Sequence, residues 1–366
     1  MRKIALATIV VASSAALVLA GFSGRADTGD EGAAGFAADS TIGVALPDKT
    51  SENWVLAGDL FTNGLEEAGY EADVQYAPAS NTVAEQQNQI TSMITNGAKV
   101  IIIGAKDGKQ LATQVQAAQD AGAKVIAYDR LIENTEAVDY YVAFDNFKVG
   151  QLQGQALLDG LAERAGHEAP YNIELFSGSP DDANSAVFFN GAMDVLQPKI
   201  DDGTLNVVSG QTAIAQTATE GWLAENAQNR MDTLLTGSYS GDTVLDGVLS
   251  PNDTLARAII TSVQQAGKPV PVVTGQDSEV ESVKSIMEGI QYSTINKDTS
   301  LLVAQTIKMV EQLQKGEEVD VNDTEQYDNG VKVVPAYLLD PVIVTKENAA
   351  EAYKNNPTLL AIVQAG

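Results

Sequence analysis

The feature that most constrains this chain is a strict alternation that begins at Thr41. Short β-branched runs alternate with longer amphipathic ones. The strand-like runs are Ile42–Ala45, Asp73–Tyr76, Val100–Ile103, Val125–Tyr128, Tyr141–Ala143, Ile173–Phe176, Val207–Ser209, Gly247–Leu249, Val272–Thr274, Tyr292–Ile295, Lys332–Val334 and Val342–Val344. Between them lie helical runs such as Val55–Ala68, Lys109–Ala121, Val149–Arg164 and Leu301–Gln314. In the second of these Leu111, Val115 and Ala118 recur at helical spacing. Such β-α-β alternation demands parallel sheets covered by helices on both faces. About a dozen strands exceed one comfortable sheet. The expected class is therefore α/β, with two doubly wound parallel-sheet lobes.

Parallel sheets hold ligands at the carboxyl ends of their strands, so the residues after each strand carry the functional signal. Those residues are Lys106-Asp107, Asp129-Arg130, Asp145-Asn146, Asp181-Asp182, Asn252-Asp253, Gln276-Asp277 and Asn296-Lys297. Each pair brings a carboxylate, an amide or a cation. Carboxylates and amides pair with neighbouring hydroxyls, and cations donate to hydroxyl and ring oxygens. Aromatic faces cover C–H patches. The chain has two tryptophans. Trp54 follows the first strand and Trp222 opens a helix, so both fall where a polyhydroxylated ring would stack. The plainer reading is that each staples the start of its helix.

Other chemistries lack their residues. The chain has no cysteine, which excludes disulfides, Cys-bound zinc, iron–sulfur clusters and a thiol nucleophile. His167 is the one histidine; it lies in a polar stretch and reads as a solvated loop residue. No G-x-S-x-G elbow is present. Gly104–Lys109 resembles a phosphate loop but is one residue short, and Gln110 stands where Ser or Thr is needed. No G-x-G-x-x-G follows a strand, so no dinucleotide cofactor is expected; no metal is expected either. Paired carboxylates invite a glycosidase reading, but in so acidic a chain they read as solvated faces or hydroxyl acceptors. The formal net charge of −27 repels nucleic acid and anionic lipid.

The N-terminus reads as an export signal spanning 1–24. Met1-Arg2-Lys3 is cationic, Ile4 to Ala20 is apolar, and Leu19-Ala20-Gly21 ends like a lipobox with Phe22 in the place of the lipid-bearing Cys. Residues 25–40 read as a flexible tether.

Several segments together resemble a family: Ser51-Glu52-Asn53-Trp54, Ala127–Ile132, Phe144-Asp145-Asn146, Gly178–Asp182, Gly221–Asn226, Gly275-Gln276-Asp277, Asn322-Asp323-Thr324 and Asn329–Pro335. They are similar to the bacterial xylose-binding and multiple-sugar-binding periplasmic receptors, over Thr41 to about Lys354. The resemblance implies the type I periplasmic-binding fold with hinge crossings near Asp145, Lys297 and Asn329. Lobe 1 is then 41–145 plus 298–328, and lobe 2 is 146–297 plus 329–366. It implies a monosaccharide ligand stacked by Trp54 and Trp222, with polar contacts from Asp129, Arg130, Asn146, Asn252, Asp277 and Lys297, and with Glu174 and Asn184 as further carry-overs. The family usually has Arg just before the first Trp, where this chain has Asn53; Lys106 replaces a commoner neutral residue. The expectation is an exported, non-enzymatic monomer. It delivers a pentose or hexose such as xylose or glucose to the membrane subunits of an ABC importer. The alternative is a sugar sensor that presents its ligand to a chemoreceptor or sensor kinase.

Overall fold

The computed structural model describes residues 35–49, 51–78 and 83–365. The export signal and the first part of the tether lie outside the described residues. No described helix is long and apolar enough to cross a membrane.

Twelve strands are formed among the described residues: β1 (Thr41–Leu46), β2 (Glu71–Tyr76), β3 (Val100–Ile103), β4 (Lys124–Tyr128), β5 (Tyr140–Phe144), β6 (Tyr171–Leu175), β7 (Leu205–Val207), β8 (Gly247–Leu249), β9 (Val272–Val273), β10 (Ser293–Asn296), β11 (Ala336–Leu339) and β12 (Val342–Thr345). They build a six-stranded sheet in the order β11-β5-β4-β3-β1-β2 and a four-stranded sheet in the order β7-β6-β8-β9. All pairs in both sheets are parallel. An antiparallel β10-β12 ladder completes the second lobe.

The sheets form because their central strands are apolar on both faces. In β3 all four residues, Val100 to Ile103, are fully buried. Alternate residues go to opposite sides: Ile101 and Ile103 pack in one core cluster, Val100 and Ile102 in another. That is the two-fold side-chain period of a strand covered by helices on both faces. Leu111, Val115 and Ala118 supply the helix stripe on one of those faces. The second lobe repeats the device, with Val248 and Leu249 of β8 in separate clusters.

The chain passes between lobes at three places. The first follows β5 at Asp145, which caps the helix Asn146–Arg164 by accepting from the Lys148 N–H. The second follows β10 at Lys297-Asp298, with Asp298 capping the helix Thr299–Lys315. The third was expected near Asn329 and falls instead at Asp340-Pro341. Until then β11 is paired to β5, from Ala336 with Tyr141 to Leu339 with Phe144. Asn329 is anchored in lobe 1, its amide donating to the carbonyls of Ile132 (3.2 Å) and Thr135 (2.8 Å). Lobe 1 therefore extends to Leu339.

The run Lys332–Val334, expected as a strand, is a loop. The Asn329 side-chain oxygen accepts from the N–H groups of Val331 and Lys332, which removes them from any ladder. Pro335 supplies no donor. The strand starts one residue later. Residues 35–40, expected as tether, are packed on lobe 1. Phe36 meets Tyr70 at 6.3 Å between ring centroids, and its backbone exchanges hydrogen bonds with Gln314 (3.1–3.2 Å).

Candidate functional site

The carboxyl edges of the two parallel sheets face each other across a cavity of about 350 Å³, within the size range of small-molecule sites. Ten of the twelve residues singled out from the sequence line it: Asn53, Trp54, Lys106, Asp129, Arg130, Asn184, Trp222, Asn252, Asp277 and Lys297.

On the lobe 1 side, Ser51 caps the helix Glu52–Glu67, and Trp54 lies in its first turn. The indole edge packs on Tyr128 at 6.2 Å, and the Arg130 guanidinium sits 5.3 Å from the ring centroid. A side chain at Gly104 would approach Trp54 to 3.0 Å, so glycine there keeps the indole in place. Lys106 pairs with Asp48 at 2.9 Å. Asn53 reaches across the cleft, its amide 3.4 Å from the Asp277 carbonyl.

On the lobe 2 side, Trp222 closes a short 3-10 turn just before the helix Ala224–Gly237. Its ring lies so close to Gly178 that a Cβ there would fall 2.1 Å from it. The indole N–H donates to Asp182 at 3.2 Å. Asn252 caps the helix Asp253–Gln265, its side-chain oxygen accepting from the Leu255 N–H at 2.9 Å. Its NH2 is then what it can present to the cavity.

The charged groups are tied together across the cleft. Arg130 of lobe 1 stands 3.0 Å from Asp182 of lobe 2, off the N–H axis, and donates to the Ala105 carbonyl at 3.1 Å. Lys297 Nζ lies 3.2 Å from Asp277 and 3.9 Å from Asp129. Burial pulls the Lys297 pKa down, but Asp277 and Asp129 outweigh it, and the net direction is upward. Asp182 is buried, which raises its carboxyl above the usual range despite the opposing pull of Arg130. The wall carries five carboxylates (Asp48, Asp129, Asp181, Asp182, Asp277) against three cations (Lys106, Arg130, Lys297).

Five described non-glycine residues have positive φ, and three of them are wall residues: Asp129 (60°), Trp222 (56°) and Asp277 (98°). Left-handed backbone at such residues costs about 1–3 kcal/mol each and persists only where the surroundings enforce it. At Asp129 the enforcement is visible. Its carbonyl accepts from Tyr141 Oη at 2.8 Å and from Asn184 Nδ2 at 2.7 Å.

Two expected residues are outside the wall. Asn146 stands one layer behind it, its amide donating to Asn184 at 3.0 Å and to Tyr141 at 3.3 Å. Glu174 requires correction. It is fully buried, and its carboxylate accepts from the Ser209 N–H and hydroxyl (3.0 and 2.6 Å) and from Tyr239 Oη (2.9 Å). Those bonds tie it to the loop after β7, through Ser209, and to the segment after the helix Ala224–Gly237, through Tyr239. Asp182, quoted in a motif but not singled out, is a central contact. Ser51, Asp48, Phe188 and Gln276 also line the cavity. Phe188 lies 5.5 Å from the Lys297 ammonium, and only its spacing on the helix Ala183–Asp201 could have signalled it.

The arrangement offers aromatic faces from both lobes and fixed acceptors and donors between them. That suits enclosure of a small polyhydroxylated molecule. Among the described residues no cluster of His, Cys, Asp or Glu has the arrangement of a metal site.

Comparison with known proteins agrees with this architecture. Residues 42–318 match the family described as periplasmic binding protein domain. The chain is 50% identical over 319 residues to the multiple sugar-binding periplasmic receptor ChvE of Rhizobium radiobacter, covering 86% of this chain and 89% of that one. It is 34% identical over 316 residues to the D-xylose-binding periplasmic protein of Escherichia coli, with 86% and 89% covered. Among solved structures, an ABC transporter solute binding protein from Clostridium phytofermentans with bound β-D-glucose aligns at a TM-score of 0.82 and 42% identity. That alignment covers 87% of this chain and 99% of the other.

Proposed function

This chain belongs to the periplasmic binding protein domain family and has its type I fold, and from that premise we propose that it is an exported receptor for a neutral monosaccharide. The two lobes close on one pyranose such as glucose or xylose. The loaded receptor then delivers the sugar to the membrane subunits of an ABC importer. One observation carries this reading. The chain's only two tryptophans come from opposite lobes and line one cavity with carboxylates, amides and cations between them. Indole faces cover the C–H patches of a sugar ring, and the polar groups pair with its hydroxyls.

The bound ligands and names of the relatives support a sugar in that place: β-D-glucose in the Clostridium phytofermentans protein and D-xylose in the name of the Escherichia coli protein. The 50% identical relative is named a receptor, which favours sensing as the second reading. Both readings require binding without turnover. Calorimetry of the purified mature protein against aldopentoses, aldohexoses and uronates tests the ligand class. One-to-one binding of a neutral aldose is expected, and silence across the whole panel would refute it. Uptake of labelled sugar by a strain lacking the protein separates delivery from sensing.

A further inference from the structure

Asp253 follows the wall residue Asn252 but does not itself line the cavity, and it is completely buried. Its hydrogen bonds converge on one loop. The Asp253 N–H donates to the Gln276 carbonyl at 2.9 Å. Its carboxylate accepts from the Glu279 N–H and from Thr294 Oγ1, both at 2.9 Å, and from Gln291 Nε2 at 2.8 Å. Thr294 Oγ1 in turn accepts from the Ser278 N–H at 3.2 Å. Residues 276, 278 and 279 are thus each held, directly or through Thr294, by one buried aspartate. The residue they enclose is Asp277.

That loop needs holding. Asp277 (φ 98°) and Ser278 (φ 53°) are consecutive left-handed residues, neither of them glycine. The close fit extends to Gly275, where a Cβ would fall 2.1 Å from an Asp253 carboxylate oxygen. Tyr353, from the C-terminal segment, adds a bond to the Ser278 hydroxyl at 2.7 Å. The outcome is an Asp277 carboxylate turned toward Lys297, 3.2 Å away, at the cavity wall. Strained backbone at a binding wall with a buried polar network behind it is the arrangement expected of preorganisation.

We propose that Asp253, acting through Thr294 and the backbone of residues 276–279, is the positioning residue for ligand contact by Asp277. This rests on the proposed sugar-binding reading. A residue that only stabilised the lobe would lower the melting temperature and affect every contact alike. A positioning residue acts through Asp277 alone.

The test is a double-mutant cycle read by calorimetry with glucose and xylose. Thr294→Val keeps the shape and deletes the hydroxyl that links Ser278 to Asp253. Thr294→Ser restores that hydroxyl, and Asp253→Asn probes the carboxylate itself. If Asp253→Asn fails to fold, the two Thr294 variants still decide the question. Thr294→Val is expected to weaken sugar binding about tenfold, with Thr294→Ser near wild type. In an Asp277→Asn background the same Thr294→Val change is expected to matter less than about twofold, because the group being positioned is already impaired. Equal losses in both backgrounds, or no loss in either, would overturn the proposal. A wild-type protein that binds no sugar would instead remove the sugar-binding reading together with this one.

Discussion

Arg130 and Asp182 come from different lobes and meet at 3.0 Å with both side chains largely buried. Trp222 donates its indole N–H to the same carboxylate, while the Arg130 guanidinium covers Trp54. The two tryptophans are therefore joined across the cleft by one cation and one anion. Separation of the lobes would break this chain of contacts and return both charges to water.

Arg130→Met should consequently act on closure more than on folding. Removing one partner of a buried pair costs about 3–5 kcal/mol when the other stays buried. If the lobes separate and hydrate Asp182, that figure is an upper bound. Sugar affinity is expected to fall at least tenfold, with a melting temperature close to wild type. Small-angle scattering at saturating sugar should show a more open molecule. Arg130→Met combined with Asp182→Asn should recover part of the closure. Wild-type affinity in the single variant would show that the pair is not linked to binding.

Asp277→Ala is expected to weaken sugar binding at least tenfold in an intact fold. A charged hydrogen-bond partner contributes about 1.5–3 kcal/mol, which is roughly a 10- to 150-fold loss. Lys297 then keeps Asp129, at 3.9 Å, as its remaining salt-bridge partner among the described residues. Near-normal affinity in calorimetry would remove Asp277 from the site.

Tryptophan emission should report occupancy directly, since Trp54 and Trp222 are the only indoles and both line the cavity. Saturating sugar is expected to change the emission of wild type and of each single Trp→Phe variant. A sugar that binds by calorimetry and leaves emission unchanged would argue against stacking.

How much of this was legible in the sequence depended on what kind of force fixed each feature. The strand β3 could be read residue by residue because four consecutive branched residues have no other use than a doubly covered strand. The strand-end positions of Asp129, Asn252, Asp277 and Lys297 followed from the alternation alone. Asp182 was harder. Beside Asp181 it looks like a solvated acidic pair, and only the tertiary approach of Arg130 and Trp222 makes burial tolerable. Glu174 fails for the opposite reason. It was carried over with the family resemblance, but in this chain Ser209 and Tyr239 have already claimed its carboxylate. The third crossing came with the family resemblance, while the run Lys332–Val334 was read as a strand because Val333 and Val334 favour one; the turn made by the Asn329 side chain is a local hydrogen-bond choice that β-propensity does not register. Left-handed Trp222 left no sequence signal at all.

Stability is expected to rise as the pH falls from 8 to about 5. Burial raises the carboxyl pKa of Asp182, Asp253, Glu279 and Glu133. For such groups ionisation opposes folding; the opposition is complete above the folded pKa and vanishes below the unfolded value near 4. His167 has the same sign. Its bonds to the Glu168 carbonyl and Asp246 raise its pKa, so its contribution is present below the unfolded value and lost as pH rises through the folded one. Asp202, Glu281 and Asp320 oppose this, their pKa values being lowered by hydrogen bonds from Thr204, Lys284 and Lys308. Their stabilisation is lost only as pH falls through values below the ordinary carboxylate range. Differential scanning fluorimetry at high salt, which screens the general repulsion of an acidic chain, should still give the higher melting temperature near pH 5. A higher value at pH 8 would contradict these shifts.

The choice between neutral sugars and uronates turns on Asn53. The family resemblance implies an arginine at this place, and a cation beside the ring would hold a uronate carboxylate. Lys106 could have made up for its loss, but its ammonium is already paired with Asp48 at 2.9 Å. The wall as a whole carries five carboxylates to three cations, so a further anion meets net repulsion in a site where charges are poorly screened. Glucose and xylose are therefore expected to bind well and glucuronate and galacturonate poorly in competition at neutral pH. Asn53→Arg brings a guanidinium to the rim, where Asn53 now reaches toward the Asp277 carbonyl. It should improve uronate binding about tenfold, or about 1.4 kcal/mol, with a smaller effect on neutral aldoses. Uronates that bind wild type as tightly as glucose would show that residue 53 does not set the choice. An Asn53→Arg variant that strengthens every sugar equally would assign the residue to lobe closure instead.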